Sequence, residues 1–493
     1  MNVTSVVSLL WLAASVVEPP TTVTYAVIVA NNAPKPGTTG LAQLRYADDD
    51  GARFYELFEM FAERVIVHSV LDEESQRLHP EVAKAARVPT RAELERSLTE
   101  VYAAIEADRS RGRKTELFFV FVGHGSALES GEGVMHFLDG GFTRSDLFQK
   151  IVARSPADTN HVLIDACNAF LFVAGRGDAP KSSIDRAVDQ YLARETMQRH
   201  PNTGFLLSTS ASTEVHEWSG FRAGVFSHEV RSAMIGGADV NGDGAVTYDE
   251  VRAFLNAANG RVQDPRAKLS PWVAPPAIRR KTPLVQRAER PTQVATVHVP
   301  GDLAGRWSIE DTRGVRLADV NVAPDGPVTL VLSPKRDHVL RGAEVEITLP
   351  STMSKQLDAQ NLVRRDIPVR SRGLETSFRE GLFALPFGQA FYDGYSAAHP
   401  SPVLLVAPPM QTESSTQKWV GGSLVAVSVA ALATGVVIGA LASNDAENYR
   451  QQVGLTSDVS ALRRRAQDRE TFANILLGVG AAAGLGGVAL LVW

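Results

Sequence analysis

From residue 22 to about residue 260, short apolar runs alternate with amphipathic stretches. The runs are "TVTYAVIVA", "RVIVHSV", "TELFFVFVG", "HVLIDAC" and "TGFLLSTS". Their length, β-branched and aromatic content and lack of polar alternation predict strands buried on both faces. Between them, "DDGARFYELFEMFAE", "TRAELERSLTEVYAAIEAD" and "TRSDLFQKIVARS" repeat apolar positions at intervals of three and four, the spacing of a helix with one face on a core. Strands and helices alternating in this way predict an α/β domain with a doubly wound, mostly parallel sheet.

The pattern then changes. Residues 261–292 carry Pro and Arg in a manner that predicts a linker. Short runs bounded by turn residues predict a small all-β module over 293–350, and a mixed region, 351–418, follows. Residues 419–442 and 472–493 are apolar and uncharged, each long enough to cross a hydrocarbon core of about 30 Å as a helix. They predict a transmembrane hairpin, with Gly435/Gly439 and Gly480/Gly484 as close-packing pairs. Arg450, Arg463, Arg464, Arg465 and Arg469 lie in the 443–471 loop. The positive-inside bias puts that loop in the cytoplasm, residues 1–418 on the extracytoplasmic (periplasmic) side, and the membrane among the partners. Residues 1–21 hold an apolar stretch from Val6 to Val17 with a small-residue site at Ala13-Ala14-Ser15. That is the shape of a signal peptide, although no basic residue precedes it; a first strand is the alternative.

Charge removes one class of function. With 50 basic and 55 acidic residues and a net charge of −5, nothing global attracts nucleic acid. A single cysteine, Cys167, excludes an intramolecular disulfide and leaves three readings: buried filler, reactive thiol or intermolecular partner. In parallel sheets, side chains with chemistry collect beyond the carboxyl ends of strands. "TELFFVFVG" runs into His124-Gly125 and "HVLID" into Ala166-Cys167, so an imidazole and the thiol are expected on one sheet edge. An imidazole there could take the thiol proton and return it to a leaving amine, with the N–H groups of Gly125 and Cys167 facing an oxyanion.

"FFVFVGHGS" followed 43 positions later by Cys167 in "VLIDACNAF" resembles the caspase and metacaspase group of cysteine peptidases. Asn31-Asn32, "LRYADDDGARFYELF", Thr90 and "LLSTSASTEVHEW" extend the resemblance over about residues 22–260. It implies a cysteine endopeptidase acting on a protein or peptide substrate, with Cys167 as nucleophile, His124 as general acid and base and Gly125 as an oxyanion donor. "NAF" after the cysteine departs from the family's continuation. The resemblance also implies a substrate pocket holding Asp165 and Asp50, with Ser208 and Ser210 beside them, and a preference for Arg or Lys at the cleaved bond. Asp48 and Asp49 leave the register of Asp50 open, and a helix-start acidic cluster is the alternative. Arg176, Lys181 and Arg186 are candidate self-cleavage points, and His136, His161, His216 and His228 are packing or surface residues.

"DVNGDGAVTYDE", residues 239–250, fits an EF-hand-type calcium loop. Asp239, Asn241, Asp243, Ala245, Thr247 and Glu250 stand at the ligand positions, and a structural Ca2+ with no organic cofactor is expected. The rival from a different class is a catalytically silent, calcium-stabilised binding or scaffold protein at the membrane.

Overall fold

A computed structural model describes residues 22–36, 38, 41–167, 169, 197–208, 217–264, 268–269, 271–278, 280–286, 294–351, 356–362, 364–366, 376–399, 471 and 474. Residues 1–406 form one compact unit and 407–493 a second. Among the described residues, every strand lies in the first.

In chain order, β1 (Thr22–Asn31) is followed by α1 (Ala47–Phe58), β2 (Arg64–Ser69), α2 (Glu73–Leu78), α3 (Pro80–Ala85), α4 (Arg91–Ser110) and β3 (Lys114–Gly123). A small antiparallel sheet of β4 (Gly125–Ala127), β5 (Gly133–Phe137) and β6 (Gly140–Thr143) precedes β7 (Thr159–Asp165) and β8 (Thr203–Leu207). Next come the two-residue strands β9 (Glu217–Trp218) and β10 (Ala223–Gly224), then α5 (Val225–Ser232), β11 (Ala245–Thr247), α6 (Tyr248–Asn259) and β12 (Trp272–Ala274). The central sheet has the order β12-β8-β7-β3-β1-β2. β2, β1, β3, β7 and β8 pair in parallel, while β12 closes one edge antiparallel.

Alternation within these runs decides which cover each side chain meets. Ala26, Ile28, Phe118 and Val120 face the core shared with α1, α5 and α6. Tyr25, Val27, Phe119 and Phe121 face the core shared with α4 through Leu94, Leu98, Val101 and Ile105. Because both faces are covered, neither needed polar residues. Thr90 starts α4 by accepting the Glu93 N–H at 3.2 Å, which satisfies one of the helix's unpaired donors.

The segment expected to be a linker supplies strands. β12 extends the central sheet, and β13 (Pro283–Gln286) pairs antiparallel with β11. A Pro-containing stretch is tolerated at an edge because a missing N–H costs nothing there. Downstream, β14 (Ala295–Val299), β15 (Gly305–Asp311), β16 (Arg316–Val322), β17 (Val328–Leu332), β18 (His338–Arg341) and β19 (Val345–Leu349) form two further sheets, completed by β20 (Gln356–Asp358) and β21 (Arg364–Asp366). These β residues share one apolar core with α1, α5 and α6. Polar contacts tie the layers as well: His228 Nε2 lies 2.7 Å from Asp319 Oδ2, and Ser232 Oγ accepts the Asp319 N–H at 3.0 Å.

Two parts of the expected fold are corrected. Parallel pairing is largely confined to the central sheet, so across the described residues the chain is α/β with mixed, mostly antiparallel sheets. The transmembrane hairpin is withdrawn, and with it the membrane as a partner and the membrane-anchored, extracytoplasmic location. Among the described residues no helix is long and apolar enough to cross a membrane. The predicted span 419–442, the span 472–493 apart from Asn474, their loop apart from Thr471, and the predicted signal segment lie outside the described residues.

Candidate functional site

The carboxyl edge of the central sheet gathers the residues that strand order alone could only place near one another. Successive connections leave β1 in opposite directions, to β2 on one side and β3 on the other, which opens a crevice at their carboxyl ends. Asn32 follows β1, His124 follows β3, Ala166-Cys167 follow β7 and Ser208 follows β8. Across the crevice, α1 brings Asp48, whose Oδ1 accepts from Asn32 Nδ2 at 2.6 Å. A Cβ on Gly125 would stand 2.2 Å from the Cys167 carbonyl oxygen, so the glycine allows the ends of β3 and β7 to touch.

His124 and Cys167 are nonetheless buried, 6 % and 7 % exposed. Burial pushes the His124 pKa down, as does neighbouring His136, while backbone bonds with Ala42 and Asn32 oppose the shift. Its Nε2 has no hydrogen-bond partner among the described residues. Nε2 is therefore not bonded to the Cys167 thiol, and the expected catalytic Cys–His pairing is not formed. The cysteine endopeptidase assignment and its protease and thiol-protease descriptors are corrected on this ground. Thiol nucleophilicity depends on a base placed to take the proton, a role that the Nε2 of His124 does not fill here. His136 instead lies with Nε2 2.8 Å from Ser126 Oγ.

Asp165 and Asp50 are brought together, on either side of Gly224. A Cβ there would meet Asp165 Oδ2 at 2.8 Å and Asp50 Oδ2 at 3.1 Å. Asp165 Oδ2 accepts from Ser227 N at 3.0 Å and Ser227 Oγ at 2.6 Å, and Ser208 bonds the same side chain. Asp50 Oδ2 accepts the Gly224 N–H at 2.6 Å, and its Oδ1 lies 2.8 Å from Arg231 Nη1. Burial raises both carboxyls; Asp50 is pushed up to about 7, with Arg231 and then Arg53 opposing the shift. Ser210, His216 and the candidate cleavage points Arg176, Lys181 and Arg186 lie outside the described residues.

Several participants carry no legible signal in the sequence. Arg231 and Ser227 sit on α5, more than sixty residues after Asp165 and outside any motif. Glu217 accepts the N–H groups of Arg45 and Tyr46 at 3.0 and 2.7 Å, and burial raises its pKa. These partners are chosen by contacts between distant elements.

The 239–250 loop turns where its glycines require, with φ of +70° at Gly242 and +86° at Gly244. The Gly244 N–H donates to Asp239 Oδ2 at 3.1 Å, and the Asp243 N–H to Asn241 Oδ1 at 2.9 Å. Ala245 and Thr247 enter β11. Glu250 Oε2 accepts from the Thr247 N–H and hydroxyl, at 2.8 and 2.7 Å, in a reciprocal capping box. Among the described residues no group of three or more His, Cys, Asp or Glu is placed to hold a metal ion, so calcium binding is corrected as part of the function. The box starts α6, and Thr247→Ala is expected to lower the unfolding free energy by about 1 kcal/mol in a denaturant titration. An unchanged midpoint would show that the box contributes nothing.

The class that the central sheet defines is α/β with a weak, partial likeness to caspase-fold proteins. In particular, a Geobacter sulfurreducens protein solved as a structural-genomics target is 16 % identical, covering 51 % of this chain and 93 % of its own, with a TM-score of 0.31. Caspase-1 from Spodoptera frugiperda is 12 % identical over 52 % of this chain and 87 % of its own, with a TM-score of 0.32. No family model and no curated protein matches the chain.

Proposed function

We propose that this chain is a binding protein for a small molecule, with its site away from the carboxyl edge, where the β sheets meet α1 and α5. The observation that carries the reading is a cavity of about 250 Å³ at that junction. Leu57, Met60, Ile235, Leu317, Val331 and Leu332 supply apolar walls, and charged side chains ring part of it. Apolar walls with a few convergent polar groups, at a seam between structural layers, are the usual composition of a ligand site. The volume suits a compact ligand, since a cavity of about 150 Å³ already holds benzene.

The test is saturation-transfer NMR with a set of aromatic fragments, neutral, acidic and basic, on the wild type and on Leu317→Trp, which fills the cavity from its half-buried wall. Bound fragments are expected to be lost in the variant while its thermal transition stays cooperative. The reading fails if no fragment of any charge binds, or if binding is indifferent to Leu317→Trp.

A further inference from the structure

The charges around this cavity already have partners in the protein. Arg313 is held by Glu56 at 2.8 Å and by Asp311 at 2.6 Å, Lys335 by Glu59 at 3.3 Å, and Arg336 stands 3.7 Å from Glu56. On the inner wall Arg231 lies 2.8 Å from Asp50 and in the field of Asp165. Its three side-chain nitrogens are closed off from solvent, so it turns no N–H towards a ligand. Arg53 donates from Nη1 to the carbonyl oxygens of Phe221 and Arg222, at 3.2 and 2.8 Å, and Asp49 and Asp50 answer its charge. Burial pushes the His338 pKa down, so its ring is neutral near pH 7. With each wall cation opposed by a carboxylate, neither sign is in surplus.

Between these pairs the walls are hydrocarbon, from Leu57, Met60, Ile235, Leu317, Val331 and Leu332. An ion entering there has to leave water and take its partner from an existing pair, stranding the other member. A charge desolvated without a partner costs far more than a neutral group. A neutral guest disturbs none of the pairs and gains from the apolar area removed from water. Size narrows the class further. A cavity of about 150 Å³ holds benzene, and about 250 Å³ leaves room for a second ring. On the reading of this cavity as the ligand site, we infer that its ligand is an uncharged, largely hydrocarbon molecule of fused-bicyclic size. Discrimination against acids and bases then comes from the wall charge each would strand, not from a contact made to the ligand. The Lys335–Glu59 pair, with side chains 64 % and 36 % exposed, stands at the mouth, where an ion would first intrude.

The experiment is isothermal titration of the full chain with 3-methylindole, indole-3-carboxylate and 3-aminomethylindole, compounds of similar size that are neutral, anionic and cationic. 3-Methylindole is expected to bind roughly tenfold or more tightly than either ion, and its binding to be lost in Leu317→Trp. Glu59→Gln leaves Lys335 without its carboxylate and is expected to bring the acid about threefold closer to 3-methylindole. Lys335→Gln is expected to do the same for the amine. An exposed pair contributes little to stability, so both variants fold. Either ion binding as tightly as 3-methylindole, or the two variants shifting acid and amine alike, overturns the uncharged-ligand assignment while the cavity reading stands. If none of the three binds, or if 3-methylindole is indifferent to Leu317→Trp, both fall.

Discussion

Replacing Arg231 by Met is expected to lower the unfolding free energy by about 3–5 kcal/mol, the cost of leaving a buried partner charge uncompensated. Arg231 stands 2.8 Å from Asp50, with both side chains almost wholly buried, and Asp165 lies on the other side of Gly224. The variant removes the cation that faces this acidic pair while keeping most of the volume packed over Phe54. Asp50→Asn in the same chain is expected to recover part of the loss, because the partner charge disappears with it. The coupling is read from a double-mutant cycle of denaturant midpoints. A single variant within 1 kcal/mol of wild type, or losses that simply add, would show that the ion pair is not what holds α1 and α5 together.

The second large effect is an acid limb in stability, to which His68, the buried His228 and Glu56 contribute. Glu56 lies against His79, Arg313 and Arg336, with Asp49 beyond the imidazole. Burial raises its pKa, but the bonds from His79 and Arg313 outweigh that and hold the carboxyl down at about 2. A carboxyl depressed by folding contributes stability that is present above its unfolded value and lost as the pH falls from about 5 towards 2. His68 moves in the opposite chemical sense with the same consequence. Burial, helped by Arg87 and opposed by the Val88 carbonyl, Glu93 and Glu100, lowers it to about 4. The folded state keeps this ring neutral while the unfolded chain takes up a proton below about 6.5, so stability falls between about pH 6.5 and 4.

Each contributor is worth about 3 kcal/mol at full extent. The urea midpoint is expected to drop in two stages, the first reduced by His68→Leu, with His228 carrying the remainder of it, and the second removed by Glu56→Gln. A His68→Leu curve that runs parallel to wild type from pH 7 to 4 would sink the first assignment. A Glu56→Gln curve that keeps its lower stage would sink the second.

The two effects share a cause that also separates sequence from structure in this chain. Glu56, Arg231 and Arg313 sit in unremarkable surroundings in the sequence, and Arg313 lies 257 positions from Glu56. They meet because the β sheets, expected to be a module apart, cover the same helices that cover the central sheet. The small-ligand cavity arises at that seam, and no motif could announce it.

His124 and Cys167 teach the converse. Order and spacing placed them correctly at adjacent strand ends, and Gly125 lets those ends touch. Adjacency of backbones, however, does not orient a ring nitrogen, and the Nε2 of His124 bonds no thiol. The calcium motif is a similar case. Its glycines take the positive φ the loop needs, while Glu250 turns to cap a helix.

What the sequence determined by itself was local. The apolar runs at 22–30, 115–123 and 161–165 became strands, the Thr90 cap opened a helix and chemistry-bearing residues followed strand ends. These depend on periodicity and on neighbours within a few positions. Tertiary structure decided which carboxylates are neutralised, by what, and where buried donors are left without acceptors, because those outcomes depend on side-chain direction and desolvation between elements far apart in the chain.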